Sequence, residues 1–101
     1  MNLLTKEIEK SLPSFYSQEN NPDPIVRVKY FDPTASWTWY GIEWSPTERT
    51  FFGLVIGHEN ELGYFSLDEL ESIRGPLGLG IERDLHFKPT PLSEVKKLHG
   101  N

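Results

Sequence analysis

Apolar residues recur at helical spacing near the start of the chain and at strand spacing through its middle. From Leu3 to Leu12, the residues Leu4, Ile8 and Leu12 fall four apart and share one helical face. Thr5 stands where an N-cap belongs, Glu7 and Glu9 favour the positive end, and Pro13 stops the helix. Ser17 to Pro24 is polar and turn-rich, which predicts a loop. Ile25 to Phe31 then alternates with period two, setting Val26, Val28 and Tyr30 on one face and Arg27 and Lys29 on the other.

A tight connection over Asp32–Ser36 leads to a partner strand, Trp37 to Trp44, and Ser45–Glu48 makes the next turn. Phe51 to Gly57 is almost continuously apolar and reads as the central strand. A polar turn at His58–Glu61 precedes a short fourth strand, Leu62 to Phe65. Four strands joined by short turns predict an antiparallel meander.

Ser66 and Glu69 have capping-box spacing, and Leu67, Leu70 and Ile73 give the helix behind them its apolar stripe, ended by Gly75-Pro76. The Gly75–Gly80 run suits a structural loop that tucks Leu77 and Leu79 inward. Asp84 to Phe87 offers a last strand. Thr90 as N-cap and Pro91 in the first turn then open a helix to about Leu98. The pattern specifies one α+β domain over 1–101: a four- to five-stranded antiparallel meander sheet flanked by short helices.

Composition narrows the chemistry. The chain has no cysteine, which excludes disulfides, thiolate metal sites and cysteine nucleophiles. No apolar stretch approaches the ~18 residues of a membrane span, and MNLLTKEIEKSL has neither the basic leader nor the apolar run of a signal peptide. A cytoplasmic location is the expectation. The formal charge of −5 and ten scattered Lys and Arg disfavour generic phosphate-backbone binding.

Two surface features stand out. The aromatic block Trp37, Trp39, Tyr40, Trp44, Phe51 and Phe52 puts Trp37 and Trp39 on one strand face and Tyr40 and Trp44 on the other. If helices cover one face only, some rings stay exposed as partner anchors. If the N- and C-terminal helices take opposite faces, the rings form a two-sided core. The second feature is the run Glu59, Glu61, Asp68, Glu69 and Glu71, which no Lys or Arg interrupts. It reads either as a solvated turn and helix start or as a surface for a basic partner.

Catalytic constellations are thin. His58-Glu59 lacks a second histidine four residues on, and His86 with Asp84 lacks a third metal ligand. Asp84 with Glu94-Val95-Lys96 echoes a Mg²⁺ nuclease spacing, yet the latter residues lie in a segment that reads as helical. Gly75–Gly80 lacks the lysine of a phosphate loop, and no Gly-x-Ser-x-Gly elbow occurs. An enzyme would have to use Glu59, Asp84 or His86. A single-strand nucleic-acid binder would use Trp37, Trp39, Arg27 and Lys29. No cofactor and no metal are expected.

Several segments together carry a family resemblance: Leu3-Leu4-Thr5-Lys6-Glu7, Thr38-Trp39-Tyr40, Phe51-Phe52-Gly53-Leu54-Val55, Glu61 to Leu70, and Gly75-Pro76-Leu77-Gly78-Leu79 with Ile81 to Asp84. The chain resembles a bacterial, phage and plasmid-borne family known only as a domain of unknown function. The resemblance implies mobile-element cargo: a small acidic, non-enzymatic protein that binds a host protein as an inhibitor or accessory factor against a defence or DNA-processing complex. No residue role follows from the resemblance; the aromatic block and the acidic run supply the expected contact residues, Trp37, Trp39, Tyr40, Trp44, Glu59, Glu61, Asp68 and Glu69.

Overall fold

The Thr5 side chain accepts a hydrogen bond from the Ile8 amide (3.2 Å) and starts helix α1, Lys6–Ser11, in a computed structural model that describes residues 1–100. The chain then crosses a polar loop to β1 (Ile25–Val26) and β2 (Val28–Phe31). It turns back through β3 (Thr38–Ser45), β4 (Thr50–Ile56) and β5 (Asn60–Ser66). Ser66 caps helix α2, Leu67–Ser72, by accepting from the Glu69 amide (3.2 Å). Strand β6 is Glu82–Arg83, β7 is Thr90–Pro91, and α3 is Leu92–Leu98.

The main sheet has five strands, all antiparallel, in the order β5-β4-β3-β2-β6, and β1 pairs separately with β7. The expected meander is β2 to β5. Several details differ. The middle strand is β3 rather than the Phe51–Gly57 run. The fifth strand is β6, not Asp84–Phe87: the Asp84 amide makes the last bond to β2, on the Lys29 carbonyl (2.9 Å), and the Phe87 amide then turns back on the Asp84 carbonyl (3.3 Å). Thr90 does not cap α3. The Asp23 carboxylate takes that role from across the fold, accepting from the Ser93 amide (2.8 Å) and hydroxyl (2.7 Å). Leu77 and Leu79 are not buried, since the Gly75 amide closes the loop onto the Leu79 carbonyl (2.7 Å) and Leu77, at φ 64°, stands out at its tip.

Both faces of the sheet are covered. On one lie Val28, Tyr30, Trp39, Trp44, Phe51 and Phe65, under α1, α2 and the N-terminal Leu3. On the other lie Val26, Tyr40, Ile42 and Leu54, under Leu92 and Val95 of α3. The split of Val26 from Val28 corrects the uniform alternation expected of Ile25–Phe31. The chain breaks at Arg27, whose amide donates to Gly41 (2.8 Å).

A bulge in β3 explains where the large rings go. Gly41 pairs with Gly53, yet Glu43 pairs with Phe52 and Trp44 with Phe51, so Ile42 is an extra residue. It shifts the phase of the strand. Trp44 therefore joins Trp39 on the first face instead of Tyr40 on the second. Of the two readings of the aromatic block, the two-sided core holds for Trp39, Tyr40 and Trp44, and their expected role as contact residues is thereby corrected. They retain 8%, 1% and 3% of their accessible surface, because the three helices divide between the two faces. Trp44 satisfies its indole N–H on the Glu9 carboxylate (2.9 Å).

Candidate functional site

β5 ends the sheet, and among the described residues no strand pairs with its outer side. Its hydrogen-bond phase follows from its two ends, where the Gly57 amide donates to Glu59 and the Leu67 amide to Arg49, both at 3.0 Å. Antiparallel ladders bond at every second residue. Glu61, Gly63 and Phe65 therefore bond to β4, while Asn60, Leu62 and Tyr64 turn their N–H and C=O groups outward. This is an open main-chain template.

A recess flanks each face of that edge. On the second face a groove of about 440 Å³ is lined by Phe52, Leu62 and Tyr64, with Tyr16 and Gln18 from the long loop and Lys96 from α3 as walls. Tyr64 meets Phe52 edge-on at 5.2 Å and Phe15 at 5.4 Å. Leu62, Tyr64 and Tyr16 nevertheless remain 46%, 55% and 66% exposed. The Tyr64 phenol is raised above its ordinary range, first by the Tyr16 hydroxyl beside it, so it keeps its proton at neutral pH.

The wall of this groove depends on the β3 bulge. Glu43, turned to the second face opposite Phe52, is buried and accepts from the amides of Tyr16 (3.1 Å) and Gln18 (2.9 Å). Two N–H donors satisfy a carboxylate that would otherwise be costly to bury. They also hold Tyr16 in a left-handed backbone conformation, φ 68°.

On the first face a shallower recess of about 530 Å³ is lined by Trp37, Val55, His58, Glu59 and Glu61, and it shares Leu62 and Tyr64 with the groove across the edge. Trp37 is half-buried, stacked on Trp39 at 6.0 Å and met edge-on by His58 at 5.4 Å. Glu59 and Glu61 are exposed, and neither makes an ion pair among the described residues.

Of the eight expected contact residues, Trp37, Glu59 and Glu61 thus come together. Trp39, Tyr40 and Trp44 lie in the cores. Asp68 and Glu69 sit in the first turn of α2, where Arg49 from the β3–β4 turn engages Asp68 (2.9 Å) and Glu71 (3.4 Å). The acidic run is therefore interrupted in space by a cation that is absent from it in sequence. Tyr16, Leu62 and Tyr64 were missed. The signal for the last two was the phase of residues 59–64, with carboxylates at 59 and 61 and the bulky Leu62 and Tyr64 at even positions.

The groups considered for catalysis do not assemble. Asp84 pairs with Lys29 (3.5 Å) and accepts from the His86 amide (2.9 Å), while Glu59 lies in the edge recess. Glu94 is on helix α3, paired with Lys97 (3.3 Å), so the nuclease-like spacing does not form a strand beside Asp84. Among the described residues, no group of three or more His, Asp or Glu side chains is placed to hold a metal ion. No helix there is long and apolar enough to cross a membrane.

No curated protein and no solved structure matches the chain. A family model does match it, over residues 3–98, and the chain belongs to that family, described as Protein of unknown function (DUF2958).

Proposed function

We propose that this chain is a non-enzymatic binding module that takes an extended segment of another protein onto the outer edge of β5. One observation carries the reading: the N–H and C=O groups of Asn60, Leu62 and Tyr64, unpaired among the described residues, run between two side-chain recesses. Strand addition uses such an edge for affinity and such recesses for specificity. The placement of Glu59 in the edge recess, apart from the turn that holds Asp84 and His86, supports binding over catalysis. Mobile-element cargo acting in the cytoplasm, as an inhibitor or accessory factor against a host defence or DNA-processing complex, is the role such docking would serve.

Single-strand nucleic acid is the weaker reading. Trp39 is buried, and the Lys29 ammonium lies 5.8 Å from the Tyr40 ring on the opposite face from Trp37 and Trp39. A stacking platform and its cations would need to share a face.

The test is crosslinking in host lysate with the chain and with Leu62→Pro. Proline at position 62 deletes an outward N–H and leaves the β4 ladder intact. A partner held by the native chain and lost by the variant supports the reading. Equal retention by both, or no partner for either, overturns it.

A further inference from the structure

Resting on that reading, we infer that the segment received by β5 is basic and amphipathic, with Lys or Arg at alternate positions and apolar residues between them. The argument starts from strand geometry. Side chains of an added strand alternate between the faces of the sheet, and each lies about 5 Å from the β5 residue directly opposite. One set enters the recess of Trp37, Glu59 and Glu61, and the other enters the groove of Phe52, Leu62 and Tyr64.

The two sides differ in chemistry. The first offers two exposed carboxylates without a cationic partner among the described residues and the half-buried indole of Trp37. Carboxylates beside an aromatic ring suit an ammonium or guanidinium, through opposite-charge pairing and cation–π attraction. Gly63, between Glu61 and Phe65 on that face, has open space where a side chain would project, which leaves room for a long cationic side chain. The second side offers Leu62, Phe52 and the ring of Tyr64, with one exposed carboxylate, Glu19, and one ammonium, Lys96, on its walls. Its buried carboxylate, Glu43, is already occupied by the Tyr16 and Gln18 amides.

The same charges oppose a second copy of this chain. Antiparallel pairing of two β5 edges preserves faces, so each copy would bring its own Glu59 and Glu61 to one side of the seam. Four carboxylates would line it with no cation among them. A net charge of −5 works in the same direction, against self-association and towards a basic partner.

The probes are three end-capped octapeptides: alternating lysine–valine, alternating glutamate–valine, and a block peptide with the lysines first and the valines after. Titration is followed by Trp fluorescence and calorimetry. The alternating lysine–valine peptide binds best, at least about tenfold tighter than the other two. The double variant Glu59→Lys/Glu61→Lys, changed only at exposed positions, reverses the preference in favour of glutamate–valine.

Equal binding of the lysine and glutamate peptides, with both lost in Leu62→Pro, overturns the basic preference and leaves strand addition standing. Equal binding of the block peptide, unaffected by Leu62→Pro, makes the attraction merely electrostatic and overturns both readings. Failure of all three peptides overturns the basic preference, and a Leu62-dependent partner in lysate then decides strand addition by itself. A dimer in sedimentation whose β5 edges are protected from amide exchange identifies a second copy as the occupant and also overturns the inference.

Discussion

The Tyr40 hydroxyl and Nε2 of His99 stand 2.7 Å apart, tying the middle strand of the sheet to the cap of the last helix. Burial raises the Tyr40 phenol above its ordinary range, so it keeps its hydrogen. Burial, and then the Lys29 ammonium, hold the His99 imidazole below its own range. The pairing suits a neutral ring that accepts from the phenol.

His99 therefore binds its proton more readily in the unfolded chain than in the folded one. Stability from this group is complete above the unfolded value near 6.5 and declines as pH falls through that value towards the lower folded one. The urea midpoint should drop between pH 7.5 and pH 5.5, and His99→Gln should flatten that slope. An unchanged slope in the variant would remove His99 as its source.

Gly53 is fixed by its neighbour in the sheet. A Cβ there would run into the Tyr40 carbonyl oxygen, a backbone atom that cannot rotate away. Gly53→Ala should cost about 3 kcal/mol or more. Gly63, next in the same row across the strands, has nothing within 4 Å, so Gly63→Ala should stay within about 0.5 kcal/mol of the native chain. Denaturant melts of the two variants measure the contrast.

Tyr30 is fully buried, and its hydroxyl donates to the Leu3 carbonyl (2.6 Å). Tyr30→Phe leaves that carbonyl without its partner and should cost about 1–3 kcal/mol. Amide exchange in α1 should accelerate beyond the global change, because Leu3 anchors the segment that precedes the helix.

Trp39→Ala invites use as an interface variant and should behave as a core deletion. Its indole retains 8% of its surface among Tyr30, Phe51 and the α1 side chains, so truncation should cost about 3–5 kcal/mol. Loss of partner capture by this variant would follow its loss of fold, which thermal melting reports directly.

Glu43→Gln replaces an acceptor of two backbone amides with a group that has one fewer carboxylate oxygen. The Tyr16–Gln18 turn should loosen, with faster amide exchange at those residues and a stability loss of about 1.5–3 kcal/mol. Unchanged exchange at Tyr16 would show that the turn holds itself.

Local pattern carried the meander, because alternation and turn residues act within a few positions. Thr5 and Ser66 announced their helices for the same reason, each meeting an amide three residues on. The bulge at Ile42 left no such trace. Whether β3 keeps its alternation depends on how β4 pairs with it, a contact closed by the turn and not by the strand itself. The coverage of both faces was legible as one of two readings, and the choice between them lay in where α1 and α3, at opposite ends of the chain, come to rest. At the candidate site, Trp37, Glu59 and Glu61 were visible as charge and aromatic content. Leu62 and Tyr64 gained meaning only once β5 proved to be an edge.

The misphased turn of β3 also has a mechanical consequence. Trp39 and Trp44 leave the ribbon on one side while Tyr40 and Ile42 leave it on the other, and Phe51 and Leu54 of β4 divide likewise. The β3–β4 ribbon is a party wall between two rooms, and neither room keeps its shape once that wall is breached. Heat or denaturant should dismantle both together, and a cut in the hairpin should leave no surviving half to be spliced into another protein.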